Sequence, residues 1–274
     1  MPGKVSLLFL GDVIGRPGRD VLKKHLPGLV EMFTPSLVVA NGENAAGGVG
    51  ITEEIGAELL GRVDVLTAGN HIWDKKEALT YLDLEPRLLR PANYPPGNPG
   101  RGAAVYVTRT GVKAAVLNLQ GRVFMEPIDC PFRAADEALG RLREETPVIF
   151  VDFHAEATSE KQALGFYLDG RVSALIGTHT HVATADEKIL PMGTAYISDV
   201  GMVGAYCSVI GIKREQALAR FLTARPQHFE PEKSGAILSY VFIEADAATG
   251  RALSIRRGDV IEADCVKREP DKTR

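Results

Sequence analysis

The sequence predicts an α/β fold built around a largely parallel sheet. Short apolar runs recur along the chain, and most are followed directly by Gly, Asn or His. Runs of this length with turn residues at their ends are typical of strands buried on both faces. Helical patterns lie between several of these runs, and such alternation favours parallel strands with helices outside. The predicted strands are Val5–Leu10, Leu37–Ala40, Val63–Ala68, Ala114–Leu119, Val148–Phe153 and Ala174–Ile176.

Two segments break the alternation and predict hairpins. One joins Arg101–Arg109 to Val112–Leu119, and the other joins Ala236–Ala245 to Ala252–Val260. We expect them to form a second, more antiparallel sheet packed on the first. A single domain is predicted over residues 1–266, with a frayed tail over residues 267–274. The predicted helices are Arg19–Met32, Thr52–Leu60, Lys75–Leu82, Ala134–Glu145, Ser159–Leu168 and Lys213–Phe221.

Composition indicates an ordinary globular protein. The net charge of −3 provides no general attraction to nucleic acid or to a membrane surface. The three cysteines, Cys130, Cys207 and Cys265, are far apart and form no CxxC pair. They therefore predict neither a disulfide framework nor a structural zinc site, and they favour a reducing, cytoplasmic compartment. No apolar run is long enough for a transmembrane helix.

Metal-capable side chains follow five of the predicted strands. In open α/β sheets, sites form beyond the carboxyl ends of strands, so these turns should converge. Four of the six histidines lie in these turns, and we assign the remaining two, His25 and His228, to structure. Each motif alone is also typical of a plain turn, but their order along the strands favours one shared site. The residues in question are Asp12, Glu43, Asn44, Asn70, His71, His154, His179 and His181.

The mixture of residue types in these turns indicates two metal ions. Two cations held close together need a bridging carboxylate to offset their repulsion, and oxygen donors keep them suited to phosphate. Imidazoles select transition metals such as iron, manganese or zinc over magnesium. His71 follows the proposed ligand Asn70, and histidine as a residue type exchanges protons near neutral pH, so we predict that His71 is a general acid. The predicted ligands are Asp12, Glu43, Asn44, Asn70, His154, His179 and His181.

The order of these motifs resembles the calcineurin-like metallophosphoesterases. Two positions differ from that general pattern, because Ile14 replaces a histidine and Glu43 replaces an aspartate. Both differences match a narrower group, the YmdB-like phosphodiesterases, and the resemblance spans about residues 5–260. The motifs that carry it read GDVIGRPG, NGENAAGG, GNHIWD, HAEATSEK and GTHTHVATAD.

This resemblance implies a four-layer α/β/β/α sandwich and a di-iron or di-manganese site. It also implies hydrolysis of phosphodiesters, with 2′,3′-cyclic nucleotides as the expected substrates. By the same resemblance one metal would be held by Asp12, Asn44 and His181. The second would be held by Asn70, His154 and His179, with Glu43 bridging the two ions and His71 as the acid.

The sequence excludes two nucleotide-binding motifs and leaves several functions open for the predicted metal site. The glycines Gly11, Gly15 and Gly18 lack the Gly-x-Gly of a dinucleotide site, and no P-loop motif is present. The first hypothesis is attack by a metal-bridged hydroxide on a small phosphodiester, a 2′,3′-cyclic nucleotide or an RNA end. The alternatives are a phosphomonoesterase or phosphoprotein phosphatase with the same site, and a regulatory metal-binding protein with little turnover. A homo-oligomer is left open. Candidate substrate contacts are Arg16, Arg19, Arg122 and Phe124.

Overall fold

The computed structural model describes residues 3–265, which form a mixed α/β structure with two sheets. The predicted frayed tail at 267–274 lies outside the described residues. The helices are α1 (Gly15–Phe33), α2 (Glu53–Leu60), α3 (Ala78–Leu84), α4 (Pro131–Glu145), α5 (Thr158–Tyr167) and α6 (Arg214–Thr223), with a 3₁₀ turn at Asn70–Trp73.

The strands agree closely with the apolar runs of the sequence. They are β1 (Lys4–Leu10), β2 (Asp12–Val13), β3 (Leu37–Asn41), β4 (Val65–Thr67), β5 (Ala103–Val107), β6 (Lys113–Gln120), β7 (Ile149–His154), β8 (Ala174–Thr178), β9 (Lys188–Ile189), β10 (Ala195–Ile197), β11 (Met202–Gly204), β12 (Ala236–Asp246) and β13 (Ala252–Glu262).

Each of the two sheets contains both parallel and antiparallel pairs. The first has seven strands in the order β2-β11-β12-β1-β3-β4, with β13 paired to β12. The second has six strands in the order β5-β6-β7-β8-β10-β9. The two predicted hairpins exist, but the prediction that together they form an antiparallel second sheet is wrong. The hairpin β12–β13 joins the first sheet, because β12 pairs antiparallel with β1 along Lys4–Leu10.

Three apolar clusters separate four layers. Helices α1, α2 and α3 pack on the outer face of the first sheet, for example through Leu22, Leu59 and Leu82. The inner faces of the two sheets pack against each other, as Phe9 and Phe150 illustrate. Helices α4 and α5 cover the outer face of the second sheet. Strands with apolar residues on both faces therefore give the α/β/β/α sandwich that the resemblance implied.

One cysteine prediction is wrong. Cys207 and Cys265 form a disulfide across 58 residues, with Cα atoms 5.4 Å apart. The β12–β13 hairpin explains it, because β13 returns the chain to the start of β12 while the Cys207 amide donates to the Ser234 carbonyl just before β12. Sequence spacing alone cannot show such a meeting. Cys130 remains a free thiol.

Among the described residues, no helix has the length and apolar character needed to cross a membrane.

Candidate metal centre

The predicted ligands lie at adjoining strand ends of the two sheets. Asp12 begins the short strand β2, and Glu43, Asn44 and Asn70 follow β3 and β4 in the first sheet. The second sheet supplies the three histidines, since His154 is the last residue of β7 and the other two follow β8. The loops of both sheets thus meet at one edge of the sandwich, which is why residues far apart in sequence come together.

Four of these side chains converge on one point. The Nε2 atom of His154 lies 2.9 Å from Oε1 of Glu43, 3.2 Å from Oδ1 of Asn70 and 3.0 Å from Nδ1 of His179. Donor atoms of Glu43, His154 and His179 all lie within 4.8 Å of one another. Lone pairs crowded in this way repel one another, and a shared cation removes the repulsion.

A second group adjoins the first through Glu43. The terminal amide of Asn44 lies 3.2 Å from Oε1 of Glu43 and 3.3 Å from Nε2 of His181. Asp12 completes the group, with Oδ1 3.9 Å from Nε2 of His181 and 3.8 Å from Nδ1 of His154. This Asp12 oxygen is buried and has no hydrogen-bond partner among the described residues. An unpartnered buried carboxylate oxygen is costly unless a cation binds it, so the donor set fits bound metal.

Hydrogen-bond acceptors outside the cluster determine which ring nitrogen carries the proton in two of the histidines. Nε2 of His179 faces the Glu156 carboxylate at 3.1 Å, and Nδ1 of His181 faces the Ile210 carbonyl at 3.0 Å. Both partners only accept hydrogen bonds, so each of these nitrogens carries a proton. The opposite nitrogen of each ring is then a free lone pair directed at the cluster, as a metal ligand requires.

His154 is oriented by a buried chain of hydrogen bonds. Its Nδ1 lies 3.0 Å from Oγ1 of Thr178, which donates to Oδ1 of Asp152 at 2.7 Å. The amide of Asn41 donates to the other Asp152 oxygen at 3.2 Å. Burial raises the pKa of Asp152 to about 7, although the charge of His154 opposes the shift. The chain directs Nε2 of His154 toward Glu43 and the other donors.

Without metal, burial and the charges of neighbouring groups shift the pKa values of the clustered side chains. Burial would raise the pKa of Glu43, but the charge and hydrogen bond of His154 outweigh it and lower that pKa to about 2. Burial would lower the pKa of His154, but Glu43, Asp12 and Asp152 raise it to about 9. Burial followed by the charge of His154 lowers the pKa of His179 to about 3, and burial raises the pKa of Asp12. A cation would replace the proton that otherwise lies between His154 and Glu43.

His71 faces the same cavity, but its ring is not part of the group of potential metal ligands around His154. Its backbone amide donates to Oε2 of Glu43 at 3.0 Å, which links the 3₁₀ turn to the cluster. Its Nδ1 lies 2.8 Å from Oδ2 of Asp74, the last residue of the GNHIWD motif. Nδ1 therefore carries a proton, and Nε2 is the nitrogen available to a substrate. Gly69 precedes this turn because the ring of His154 occupies the space that a Cβ would need.

The turn that carries His179 and His181 is strained. Both residues have positive φ, 100° and 62°, which non-glycine residues rarely adopt. Oδ2 of Asp199 accepts from the Thr180 amide at 3.0 Å and from Nζ of Lys161 at 2.8 Å. Lys161 and Asp199 are each only 1% exposed, so this ion pair is a buried brace for the strained turn.

The cluster forms the floor of a cavity of about 650 Å³. Glu43, Asn44, His71, His179 and His181 all line it. Of the four candidate substrate contacts, none lines this cavity. Arg19 is engaged elsewhere, because its guanidinium donates to the Ala45 carbonyl at 2.6 Å and to Glu58 at 3.0 Å.

The other three candidates also lie apart from the cavity. Arg16 pairs with Asp20 on α1. Arg122 and Phe124 belong to a loop whose amides at 122 and 123 donate to the buried carboxylate of Glu160, and the Phe124 ring is 90% exposed. The geometry does not support a substrate role for these residues, and that role stays a prediction.

Several residues of the site are not identified by the sequence. The cavity wall includes His228, for which the sequence predicts a structural role, together with Lys75, Glu156 and Phe229. Glu160 and Lys161 belong to the HAEATSEK motif, yet their buried roles in bracing two loops become visible only in three dimensions. An acidic residue two positions after His154 is the one available sequence signal for Glu156.

The α/β/β/α layers and the cluster of carboxylate, amide and imidazole groups at the strand ends define a metallophosphoesterase-type protein. The chain belongs to the YmdB-like protein family, whose family model matches residues 8–257. The resemblance inferred from the motifs is therefore confirmed.

Relatives match over nearly the full length of the chain. The chain is 51% identical over 254 residues to the 2′,3′-cyclic-nucleotide 2′-phosphodiesterase of Bacillus subtilis (strain 168), covering 92% of this chain and 96% of that protein. Its structure resembles that of a hypothetical protein from Thermus thermophilus, with a TM-score of 0.88, 43% identity and coverage of 94% and 100%. A novel phosphatase from Mycoplasma pneumoniae gives a TM-score of 0.90 at 36% identity, with 96% of each chain covered.

Proposed function

We propose that this chain is a two-metal phosphodiesterase that hydrolyses nucleoside 2′,3′-cyclic phosphates. The observation that carries the proposal is the convergent donor cluster on the floor of a cavity large enough for a nucleotide. The Bacillus subtilis relative has this activity in its name and is similar over almost the whole chain. The proposed metals are iron or manganese, since three imidazoles with carboxylate and amide oxygens favour transition metals.

The geometry supports the ligand roles that the resemblance implied. Asn70, His154 and His179 would hold one ion, because Oδ1 of Asn70 and Nδ1 of His179 lie 3.2 and 3.0 Å from Nε2 of His154. Asp12, Asn44 and His181 would hold the other. Glu43 lies between the two groups and would bridge them.

The charge of the cavity favours a diester over a monoester. A phosphomonoester carries a second negative charge, for which additional cationic groups would be expected. Among the described residues that line the cavity, Lys75 is the one lysine or arginine. Arg16, Arg19 and Arg122, the groups that would have favoured the phosphatase alternative, do not line the cavity. The singly charged diester is therefore the better match.

The chain's own residues would orient the substrate and move the proton. When bound, the two ions would activate a water molecule and neutralise charge on the phosphoryl oxygens. His71 would protonate the departing 2′ oxygen through Nε2, while Asp74 at 2.8 Å stabilises the imidazolium that donates this proton. Cleavage of the 2′ ester leaves a nucleoside 3′-phosphate. Asp152 and Glu156 would keep His154 and His179 in the correct orientation.

Metal analysis and turnover test the proposal together. The purified protein should carry close to two iron or manganese ions per chain and should cleave 2′,3′-cyclic AMP faster than p-nitrophenyl phosphate. Glu43→Gln should lose one ion and most activity, because less negative charge would separate the two cations. Glu137→Gln is the matched control, since Glu137 lies in an exposed ion pair on α4. Absence of metal, with no activation by added iron or manganese, would overturn the proposal.

The cytoplasmic location is part of the same proposal, although a reducing compartment would act against the Cys207–Cys265 bond. RNA ends as substrates and a homo-oligomeric state stay predictions from the sequence.

A further inference from the structure

One wall of the cavity is apolar and comes from a part of the chain that supplies none of the proposed ligands. We call Ile210, Ile212, Phe229 and Pro231 the apolar wall. Ile210 and Phe229 are 45% and 42% exposed, although both are large apolar side chains. Exposed apolar groups that line a cavity beside a polar floor are characteristic of a ligand site.

The apolar wall is held in a fixed position relative to the metal centre. Backbone hydrogen bonds join its two segments, from Lys213 to the Glu230 carbonyl at 3.0 Å and from Glu232 to the Gly211 carbonyl at 2.9 Å. The Ile210 carbonyl accepts from Nδ1 of His181 at 3.0 Å. A ligand on the wall would therefore be held at a set distance from the proposed metal ligand His181.

The cavity is larger than the reaction itself requires. A phosphate group and two metal ions would occupy its polar floor and leave the apolar side free. The part of a cyclic nucleotide that has flat apolar faces is the base. An aromatic ring is a suitable platform for a base, because every base has a π-face that can stack on it.

We infer that the apolar wall is the base-binding subsite of this enzyme and that Phe229 is its stacking platform, an inference that rests on the proposed function. Stacking alone recognises a ring and not a particular set of hydrogen bonds. The enzyme should therefore accept all four nucleoside 2′,3′-cyclic phosphates. Purines should bind more tightly than pyrimidines because they cover more of the ring.

The test compares substrates with and without a base. The base-free substrate is methyl riboside 2,3-cyclic phosphate, which contains the same cyclic ester as 2′,3′-cyclic AMP. Phe229→Ala should raise KM for 2′,3′-cyclic AMP by roughly 5- to 150-fold, the usual contribution of one base stacked on one aromatic ring. The preference for the nucleotide over the base-free ester, measured as the ratio of kcat/KM values, should fall by the same factor.

Two further variants separate stacking from other effects. Phe229→Tyr keeps the ring and should restore most of the preference. Phe221→Ala removes a phenylalanine that is 81% exposed on α6 and does not line the cavity, so it should behave as wild type. An equal effect of Phe229→Ala on both substrates, or no effect on either, would overturn the subsite.

A binding measurement distinguishes failure of the subsite from failure of the proposed function. Calorimetry should show that adenosine 3′-phosphate binds the wild type more tightly than methyl riboside 3-phosphate does, and that Phe229→Ala removes the difference. Preferential binding without turnover of the cyclic ester would overturn the proposed function and retain the subsite. Turnover without any preference for the base would overturn the subsite alone.

Discussion

At the scale of single residues, His71 differs from the other three histidines of the site. The rings of His154, His179 and His181 each direct a nitrogen at the donor cluster. His71 instead contributes its backbone amide to Glu43, while Nδ1 of its ring pairs with Asp74. The contrast supports a role in proton transfer for His71 and a ligand role for the other three.

His71→Ala should keep both metals and still bind a nucleotide product. Its turnover of 2′,3′-cyclic AMP should fall by roughly 10²–10⁴-fold, the usual effect of removing a positioned general acid. The loss should be smaller for bis-p-nitrophenyl phosphate, because p-nitrophenolate leaves readily without a proton. Steady-state rates on both substrates and metal analysis of the variant provide the check. Loss of metal would make His71 a ligand, and equal loss on both substrates would exclude the acid role.

At the scale of elements, a loop and a helix together position the side chains of the proposed metal site. The turn after β8 places two proposed ligands at positive φ, and Asp199, which follows β10, accepts hydrogen bonds from the amides of Thr180 and Gly201. Helix α5 contributes Lys161, whose ammonium group pairs with the same carboxylate inside the protein. The position of the ligands therefore depends on a helix that supplies no residue to the cavity lining.

Asp199→Asn should destabilise the protein and also lower its activity. Removing one partner of a buried ion pair leaves the Lys161 charge unpaired, which typically costs about 3–5 kcal/mol. The double variant Lys161→Met/Asp199→Asn removes both charges and should recover most of the stability, measured by chemical denaturation. If Asp199 also positions the turn, the double variant should stay roughly 10- to 100-fold weaker in metal affinity or activity. Full recovery of both properties would limit the pair to a structural role.

The elements also show which parts of the site can be predicted from sequence. Asp12, Asn70 and His154 are predictable because a polar residue close after a buried apolar run marks a strand end, and parallel strand ends converge. The Lys161–Asp199 brace is not predictable from sequence, because a charged residue one turn into a helix is usually exposed. Phe229 lies in an irregular segment without periodicity, and only the pairing of 211–213 with 230–232 places it at the cavity.

Contacts between distant segments also limit how much of the whole fold can be predicted from the sequence. Apolar runs and helical spacing are sufficient to locate most strands and helices within a few residues. The sheet to which each hairpin belongs is not predictable, because the pairing of β12 with β1 joins opposite ends of the chain. The Cys207–Cys265 disulfide depends on that same long-range pairing.

At the scale of the whole molecule, the two sheets are joined at the proposed metal centre. The first sheet supplies Asp12 and Glu43, whereas the second supplies His154. Metal bound between them should therefore stabilise the folded protein as a unit, because the complete donor set exists only in the folded state. Ligand at 100 times its dissociation constant adds about 2.7 kcal/mol to the free energy of unfolding. This stabilisation should depend on pH through His154.

Bound metal should remove the pH dependence of stability that His154 gives to the metal-free protein between about pH 6.5 and 9. The folded-state pKa of His154 is raised to about 9 from its ordinary value of 6.5. In the metal-free protein its protonation therefore contributes stability that is fully present below pH 6.5 and is lost as the pH rises through 9. Metal must displace this proton, so its apparent affinity should rise by up to about tenfold per pH unit over the same range.

Thermal unfolding with manganese and with a chelator, measured from about pH 6.5 to 9, checks this exchange of a proton for metal. The Tm difference between the two conditions should grow with pH. Glu43→Gln should show a much smaller growth, because it both weakens metal binding and removes the charge that raises the pKa of His154. A Tm difference that stays constant across this range in the wild type would show that no proton is exchanged for metal at His154.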